Sequence, residues 1–250
     1  MKFNATSANC FSREQQSIFL DAPKTLTDYG INASFVCGRK GCRGRREKRR
    51  MSVLVLLDTS QKLDDCAAEL GCDVEQLLTP LTRYRLQRPE SRFAIDNGAF
   101  SSFDSKAFDA MLKREFERRA NCIFVCAPDV VGSARRTLEV FSRWKDRLKD
   151  WPIALVAQDG QQDMDIPWDE IKAVFIGGST EFKLSIHATQ IVRAAKMLDK
   201  WVHVGRVNTP GRFEYFEKMG ADSIDGTGLS RYSWMREKIY HDQRQPELIA

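Results

Sequence analysis

The 250 residues carry 29% charged and 42% hydrophobic side chains, which fits neither a disordered chain nor a membrane protein. Val53–Leu57, Cys122–Pro128 and Ile153–Ala157 fall short of the roughly 20 apolar residues that a bilayer demands, and Met1–Phe11 lacks the continuous apolar region of a signal peptide. Net charge is +5, from 39 Lys and Arg against 34 Asp and Glu, and the odd count of 7 Cys reads as reduced thiols of a cytoplasmic protein.

Residues 1–50 read as an N-terminal extension. Apolar residues are scattered there, and the segment ends in a basic run. Arg39, Lys40, Arg43, Arg45, Arg46, Lys48, Arg49 and Arg50 face a single acid, Glu47. Such a run is either a solvated loop or a contact for phosphate backbones. Cys37 and Cys42 offer half of a zinc site. Cys66 and Cys72 complete no strong template, so no metal is assigned.

From Met51 the pattern becomes regular. Short apolar runs, rich in Val, Ile and Phe, occur at Val53–Leu57, Phe93–Ile95, Cys122–Ala127, Ile153–Ala157, Ala173–Ile176, Trp201–Val204 and Ser223–Ile224. Leu77–Leu78 is a weak eighth. They read as strands buried on both faces. Helical spacing of apolar residues lies between them, over Ser105–Arg119, Ala134–Lys149, His187–Leu198 and Tyr215–Met219. This alternation predicts a parallel sheet covered by helices. About eight strands in roughly 200 residues predict an α/β fold of the (β/α)8 barrel type over residues 51–250. A doubly wound open sheet normally carries a glycine-rich loop after its first strand, and here that strand leads into Asp58-Thr59-Ser60.

Polar and glycine clusters follow the strands. They are Asp96-Asn97-Gly98-Ala99-Phe100, Pro128-Asp129, Gln158-Asp159-Gly160, Gly177-Gly178-Ser179, Gly205-Arg206 and Asp225-Gly226-Thr227. In a barrel these ends share one rim, where active sites sit. Asp96, Asp129 and Asp225 would converge there with Gln158. Glycines would let a flat ligand approach the backbone, and Phe100 would offer a stacking face. No HExxH or Walker motif occurs. His203 lies inside an apolar run and reads as a satisfied core histidine or one that supports a site residue. Paired carboxylates suit chemistry at an anomeric carbon, one as nucleophile and one handling protons. A third can match the parallel N–H donors of guanine. Carboxylate-bound Mg²⁺ in a hydrolase or lyase acting on a small phosphorylated substrate is a competing use. A non-catalytic nucleic-acid-binding protein is a third reading.

At these residues the chain resembles the tRNA-guanine transglycosylase superfamily, most closely its phage DNA 7-deazaguanine branch. The resemblance spans roughly residues 51–231. It implies a pentosyltransferase that replaces guanine with a free 7-deazaguanine base, such as a queuosine-pathway precursor, without a cofactor. Asp96-Asn97-Gly98-Ala99-Phe100 is similar to the family's Asp-Ser-Gly-Gly-Tyr/Phe, implying Asp96 as the proton-handling acid and Phe100 as the stacking ring. The resemblance further implies base recognition by Asp129, Gln158, Gly160, Gly177 and Gly178, with Val204 and Gly205 as the opposite wall. Gly220-Ala221-Asp222-Ser223-Ile224-Asp225 resembles Gly-x-Asp-x-x-Asp, implying Asp225 as nucleophile and Asp222 as a supporting residue. No Cys follows Cys126, so the zinc site of the tRNA-acting branch is missing. The expected partner is therefore DNA, held in part by the basic run, in a bacterial or phage-infected cytoplasm. The family commonly dimerises, so a homodimer is expected too.

Overall fold

The computed structural model describes residues 53–242. The N-terminal extension, with its basic run and the Cys37–Cys42 pair, lies outside the described residues. Eight strands form one closed, all-parallel barrel in sequence order. They are β1 (Leu54–Leu57), β2 (Val74–Leu78), β3 (Phe93–Ile95), β4 (Cys122–Cys126), β5 (Ile153–Ala157), β6 (Ala173–Ile176), β7 (Trp201–Val204) and β8 (Ser223–Asp225). Closure is made by β1 against β8, with Val55 opposite Ile224. The fold is a (β/α)8 barrel.

Helices follow most of the strands, though none stands between β2 and β3 and only short 3-10 turns lie between β5 and β6: α1 (Leu63–Leu70), α2 (Ser105–Glu115), α3 (Ala134–Trp144), α4 (Thr180–Lys183), α5 (Ile186–Met197), α6 (Pro210–Met219), α7 (Thr227–Arg231) and α8 (Ser233–Asp242). Several of them start with the chemistry expected of helix N-termini. Asp104 accepts from the N–H groups of Lys106 and Ala107 ahead of α2. Ser133, Ser185 and Thr209 cap α3, α5 and α6 in the same way, and Pro210 opens α6. None of the helices among the described residues is long and apolar enough to cross a membrane.

The strands bury both faces, for two different reasons. Leu54, Leu56, Leu77, Ala94, Phe124, Ala154, Val156, Ala173 and Phe175 fill the barrel interior. Val55, Leu57, Val174, Ile176, Val202, Val204 and Ile224 pack outward against α1, α5, α6 and α8. Phe93, Ile95, Val125, Ile153 and Leu155 do so against α2 and α3. Side chains alternate along a strand, so inward positions are fixed by parity. Two residues beyond Leu56, Ala94, Val156, Phe175 and Ser223 stand Asp58, Asp96, Gln158, Gly177 and Asp225. These residues cap the inward columns at the C-terminal end of the barrel, the face where barrel active sites are built.

Cys66 and Cys72 are buried within the outer apolar layer. They serve packing. Among the described residues, no three His, Cys, Asp or Glu side chains are grouped to hold a metal ion.

Candidate active site

Two cavities open at the C-terminal end of the barrel. The larger, about 530 Å³, is lined by Asp58, Thr79, Thr82, Tyr84, Thr227 and Arg231 among others. The smaller, about 60 Å³, is lined by Asp129, Gln158, Phe175, Gly177 and Gly178 among others. Asp96, Phe100, Arg206 and Asp225 line both. The wall between the two chambers thus carries two of the expected carboxylates and the expected stacking ring.

Asp225 ends β8 with its side chain turned inward. Its Oδ2 lies 2.9 Å from His203 Nε2, and its Oδ1 accepts from the Arg206 N–H at 3.2 Å. Asp96 stands two residues beyond Ala94, and its Oδ1 accepts from the Gly98 N–H at 3.2 Å. Burial raises Asp96 from 3.8 to about 7, and the nearby negative charge of Asp225 adds to the effect. At neutral pH this carboxyl therefore shuttles readily between acid and base. That is the property required of a group that gives up a proton in one step and takes one back in the next.

Asp129 is held from two sides. Asn97 Nδ2 donates to Oδ1 at 2.8 Å, and Gln158 Nε2 donates to Oδ2 at 2.6 Å. Gln158 is itself oriented, because its Oε1 accepts from the Gly132 N–H at 2.9 Å. A backbone N–H can only donate, so the amide cannot flip. Burial raises Asp129 above its ordinary range, while the Asn97 and Gln158 hydrogen bonds pull it down. Helix capping does not explain this carboxylate, since Ser133 supplies the cap of α3. Asp129 and Gln158 present their remaining acceptor and donor capacity to the small cavity.

Phe100 is 62% exposed on the rim, which marks it as a platform rather than a core residue. The Arg206 guanidinium lies 4.2 Å from its ring centroid and also donates to the Gly178 carbonyl. Arg206 has φ 59°, a left-handed conformation uncommon outside glycine. That conformation turns its side chain across the mouth of the small chamber. Gly177 is required by close approach, because a Cβ there would sit 2.7 Å from Val156 and 3.1 Å from Gln158 Nε2.

Four expectations from the resemblance fail on geometry, the first being Gly205, which is not among the residues lining either cavity. Val204 points outward into the apolar layer, because parity places it one step out of phase with His203 and Gly205. Its side chain forms no wall. Gly160 makes a left-handed turn at φ 87° and is not among the residues lining either cavity. Asp222 precedes β8, at the opposite end of the strand. There it bonds Lys196 Nζ at 2.6 Å and accepts from the Val202 N–H at 2.8 Å. It fastens β8 to α5 and β7 and is remote from the rim.

Other residues at or beside the rim were not assigned from the sequence. Asp58 lines the larger chamber, bonded to the Thr82 hydroxyl at 2.8 Å. Burial raises its carboxyl, and the Asp225 charge adds to the rise against the Thr82 hydrogen bond. Lys183 is buried and donates to the Gly205 carbonyl at 2.7 Å, fixing the turn that carries Arg206. Burial lowers this lysine to about 8, with help from the Arg206 charge. Asp159 accepts from the Ser179 N–H and hydroxyl at 2.8 and 2.5 Å. Burial opposes ionisation of Asp159, yet these bonds hold it below its ordinary value. The available signal for Asp58 and Asp159 was their position just after a strand.

No protein-family model matches the chain, and a search of curated proteins finds no match.

Proposed function

We propose that the protein is a base-exchanging transglycosylase, replacing guanine in DNA with a 7-deazaguanine base. One observation carries the reading. Asp225 and Asp96 line the wall between a small polar slot and a larger chamber, and Asp96 titrates near neutrality. A glycosidic bond lying across that wall would have its base in the slot and its sugar in the chamber. The target nucleotide would be flipped out of its stack to reach it.

In the first step Asp225 Oδ1 attacks C1′. The C1′–N9 bond breaks and its electron pair leaves with guanine, which takes the proton of Asp96. A covalent aspartyl-glycosyl intermediate remains, as in retaining glycosidases. In the second step ionised Asp96 takes a proton from the incoming base. The freed nitrogen pair attacks C1′, and the Asp225 carboxylate leaves. Asp129 and Gln158 hold either base by its polar edge. Phe100 stacks on it once Arg206 swings aside, since a purine needs more room than the slot now offers. The resemblance of the Asp96–Phe100 and Asp225 segments supports the same roles. The basic run supports DNA as partner, through phosphate contacts.

Incubation with DNA and radiolabelled guanine tests the reading. Label should enter DNA without nucleotide triphosphate. Asp225→Ala should abolish both incorporation and the denaturant-resistant protein–DNA adduct, with the circular dichroism spectrum unchanged. An adduct formed by Asp225→Ala would move the nucleophile elsewhere, to Asp96 first.

A further inference from the structure

His203 has no place in the chemistry above, yet the fold spends its barrel centre on it. The imidazole is fully buried. Its ring lies 4.5 Å from the Phe175 centroid and 5.0 Å from that of Phe124. An imidazole there must be hydrogen-bonded on both nitrogens, or it would be costly. Nδ1 lies 2.8 Å from Ser223 Oγ, and Nε2 lies 2.9 Å from Asp225 Oδ2. Ser223 Oγ also lies 2.8 Å from Trp201 Nε1.

The direction of every bond in this chain follows from its far end. An indole N–H can only donate, so Ser223 accepts from Trp201. Ser223 is fully buried, and its hydroxyl proton has His203 Nδ1 as its partner. Nδ1 is then an acceptor and carries no proton. Nε2 carries it and donates to Asp225 Oδ2. The opposite tautomer would set two lone pairs face to face at 2.9 Å and strand the serine proton. An imidazolium would also strand that proton.

We propose that His203 is a positioning residue for Asp225. The Trp201–Ser223 relay locks it as the neutral Nε2–H tautomer, and it clamps Oδ2 so that Oδ1 is presented to the anomeric carbon. This rests on the transglycosylase reading for the role of Asp225. The arrangement inverts the familiar triad, in which a carboxylate orients a histidine that acts on a hydroxyl. Here a hydroxyl orients a histidine that acts on a carboxylate. The clamp has a second consequence. A donor at Oδ2 bonds an ionised carboxylate more strongly than an ester carbonyl. It therefore favours departure of Asp225 in the step that releases product. A neutral donor does this without the full positive charge that would blunt the nucleophile.

The test has two arms on the full chain. Nitrogen-15 NMR of histidine-labelled protein reads the tautomer directly, and three histidines keep the spectrum assignable. His203 should show a protonated Nε2 and an unprotonated Nδ1. A protonated Nδ1, alone or with Nε2, would overturn the assignment. In the kinetic arm, His203→Phe should lower kcat of base exchange about ten- to a hundredfold, the worth of a hydrogen bond to a charged group. Affinity for free guanine should stay unchanged, because His203 lines neither cavity. His203→Gln keeps a neutral donor near the Nε2 position and should recover most of the rate. Wild-type turnover by His203→Phe, or loss of guanine binding in step with rate, would reduce the histidine to a core residue. A wild-type protein that exchanges no base would sink the transglycosylase reading instead, leaving the tautomer to be decided by the spectrum.

Discussion

Asp96 carries the pH dependence of the site. Its ordinary value is 3.8 and burial lifts it to about 7. Between those values the folded protein keeps a proton that the unfolded chain has lost. Stability therefore falls as pH rises through that window and stays lower above it. Asp96→Asn removes the buried charge while keeping the shape. The variant should melt several degrees above wild type near pH 8, at roughly 2–4 °C per kcal/mol for a chain of this size, and close to wild type near pH 4. Base exchange should be lost at both. Under the proposed mechanism adduct formation needs the protonated acid, so in the wild type it should slow as pH rises through about 7. Equal melting temperatures near pH 8 would show that Asp96 is better solvated than its surroundings suggest. Asp129 makes a different prediction. Both of its oxygens accept from side-chain amides, so Asp129→Asn sets an NH₂ against a donor of Asn97 or Gln158. The same mismatch would face the N–H edge of guanine. Competition by free guanine should weaken by about 1–3 kcal/mol, and urea unfolding should report a loss of similar size. Unchanged guanine affinity beside lost stability would confine Asp129 to holding the rim together.

Parity along the strands decides which residues reach the site, and Gly205 shows how tightly. It ends the inward column of β7, and a Cβ there would run into the Phe175 ring and lie 3.2 Å from Asp225 Oδ2. Gly205→Ala should destabilise by roughly 1–3 kcal/mol through overpacking and slow adduct formation by displacing Asp225, the proposed nucleophile. Gly211, inside α6, meets nothing within 4 Å. Gly211→Ala should instead stabilise by about 0.5–1 kcal/mol. Urea titration of both variants against wild type checks the contrast, and equal effects would dissolve it. The same parity explains what was readable beforehand. Val53–Leu57, Ile153–Ala157 and Ala173–Ile176 are apolar on both faces, so their strands were plain. β2 was legible only at Leu77–Leu78, because Gln76 is polar yet buried. Its amide donates to the Arg85 carbonyl and accepts from the Gln87 N–H at 2.8 Å each. That satisfaction comes from the β2–β3 loop and cannot be read from local pattern. Leu63, Cys66 and Leu70 did have helical spacing, but Asp64, Asp65 and Glu69 between them masked α1. Asp96, Phe100, Asp129, Gln158, Gly177, Gly178 and Asp225 could be placed on one rim beforehand because each follows or ends a strand, and they do line the cavities there. Arg206 and Lys183 were missed because their roles depend on a left-handed turn and on a crossing between α4 and the β7 end.

At the scale of the molecule, the barrel closes on itself within residues 54–225, through β1 against β8. All eight strands and their covering helices lie beyond residue 53. Removing residues 1–50 should therefore leave a folded barrel with the wild-type far-ultraviolet spectrum per barrel residue and a cooperative melt. The shortened chain loses Arg39, Lys40, Arg43, Arg45, Arg46, Lys48, Arg49 and Arg50, against the single acid Glu47 of the same run. If these side chains hold phosphates, each lost contact lowers the slope of log affinity against log salt by about 0.9. Several contacts together should weaken DNA binding by orders of magnitude at low salt and much less at high salt. Arg231 stays on the edge of the larger chamber and would supply part of the residual binding. Guanine exchange at saturating DNA should persist, because Asp96, Asp129, Gln158 and Asp225 all remain. Binding isotherms of full-length and shortened protein across a salt series separate the effects. An unchanged slope would make the run a solvated loop. An insoluble shortened protein would instead make residues 1–50 part of the barrel's packing.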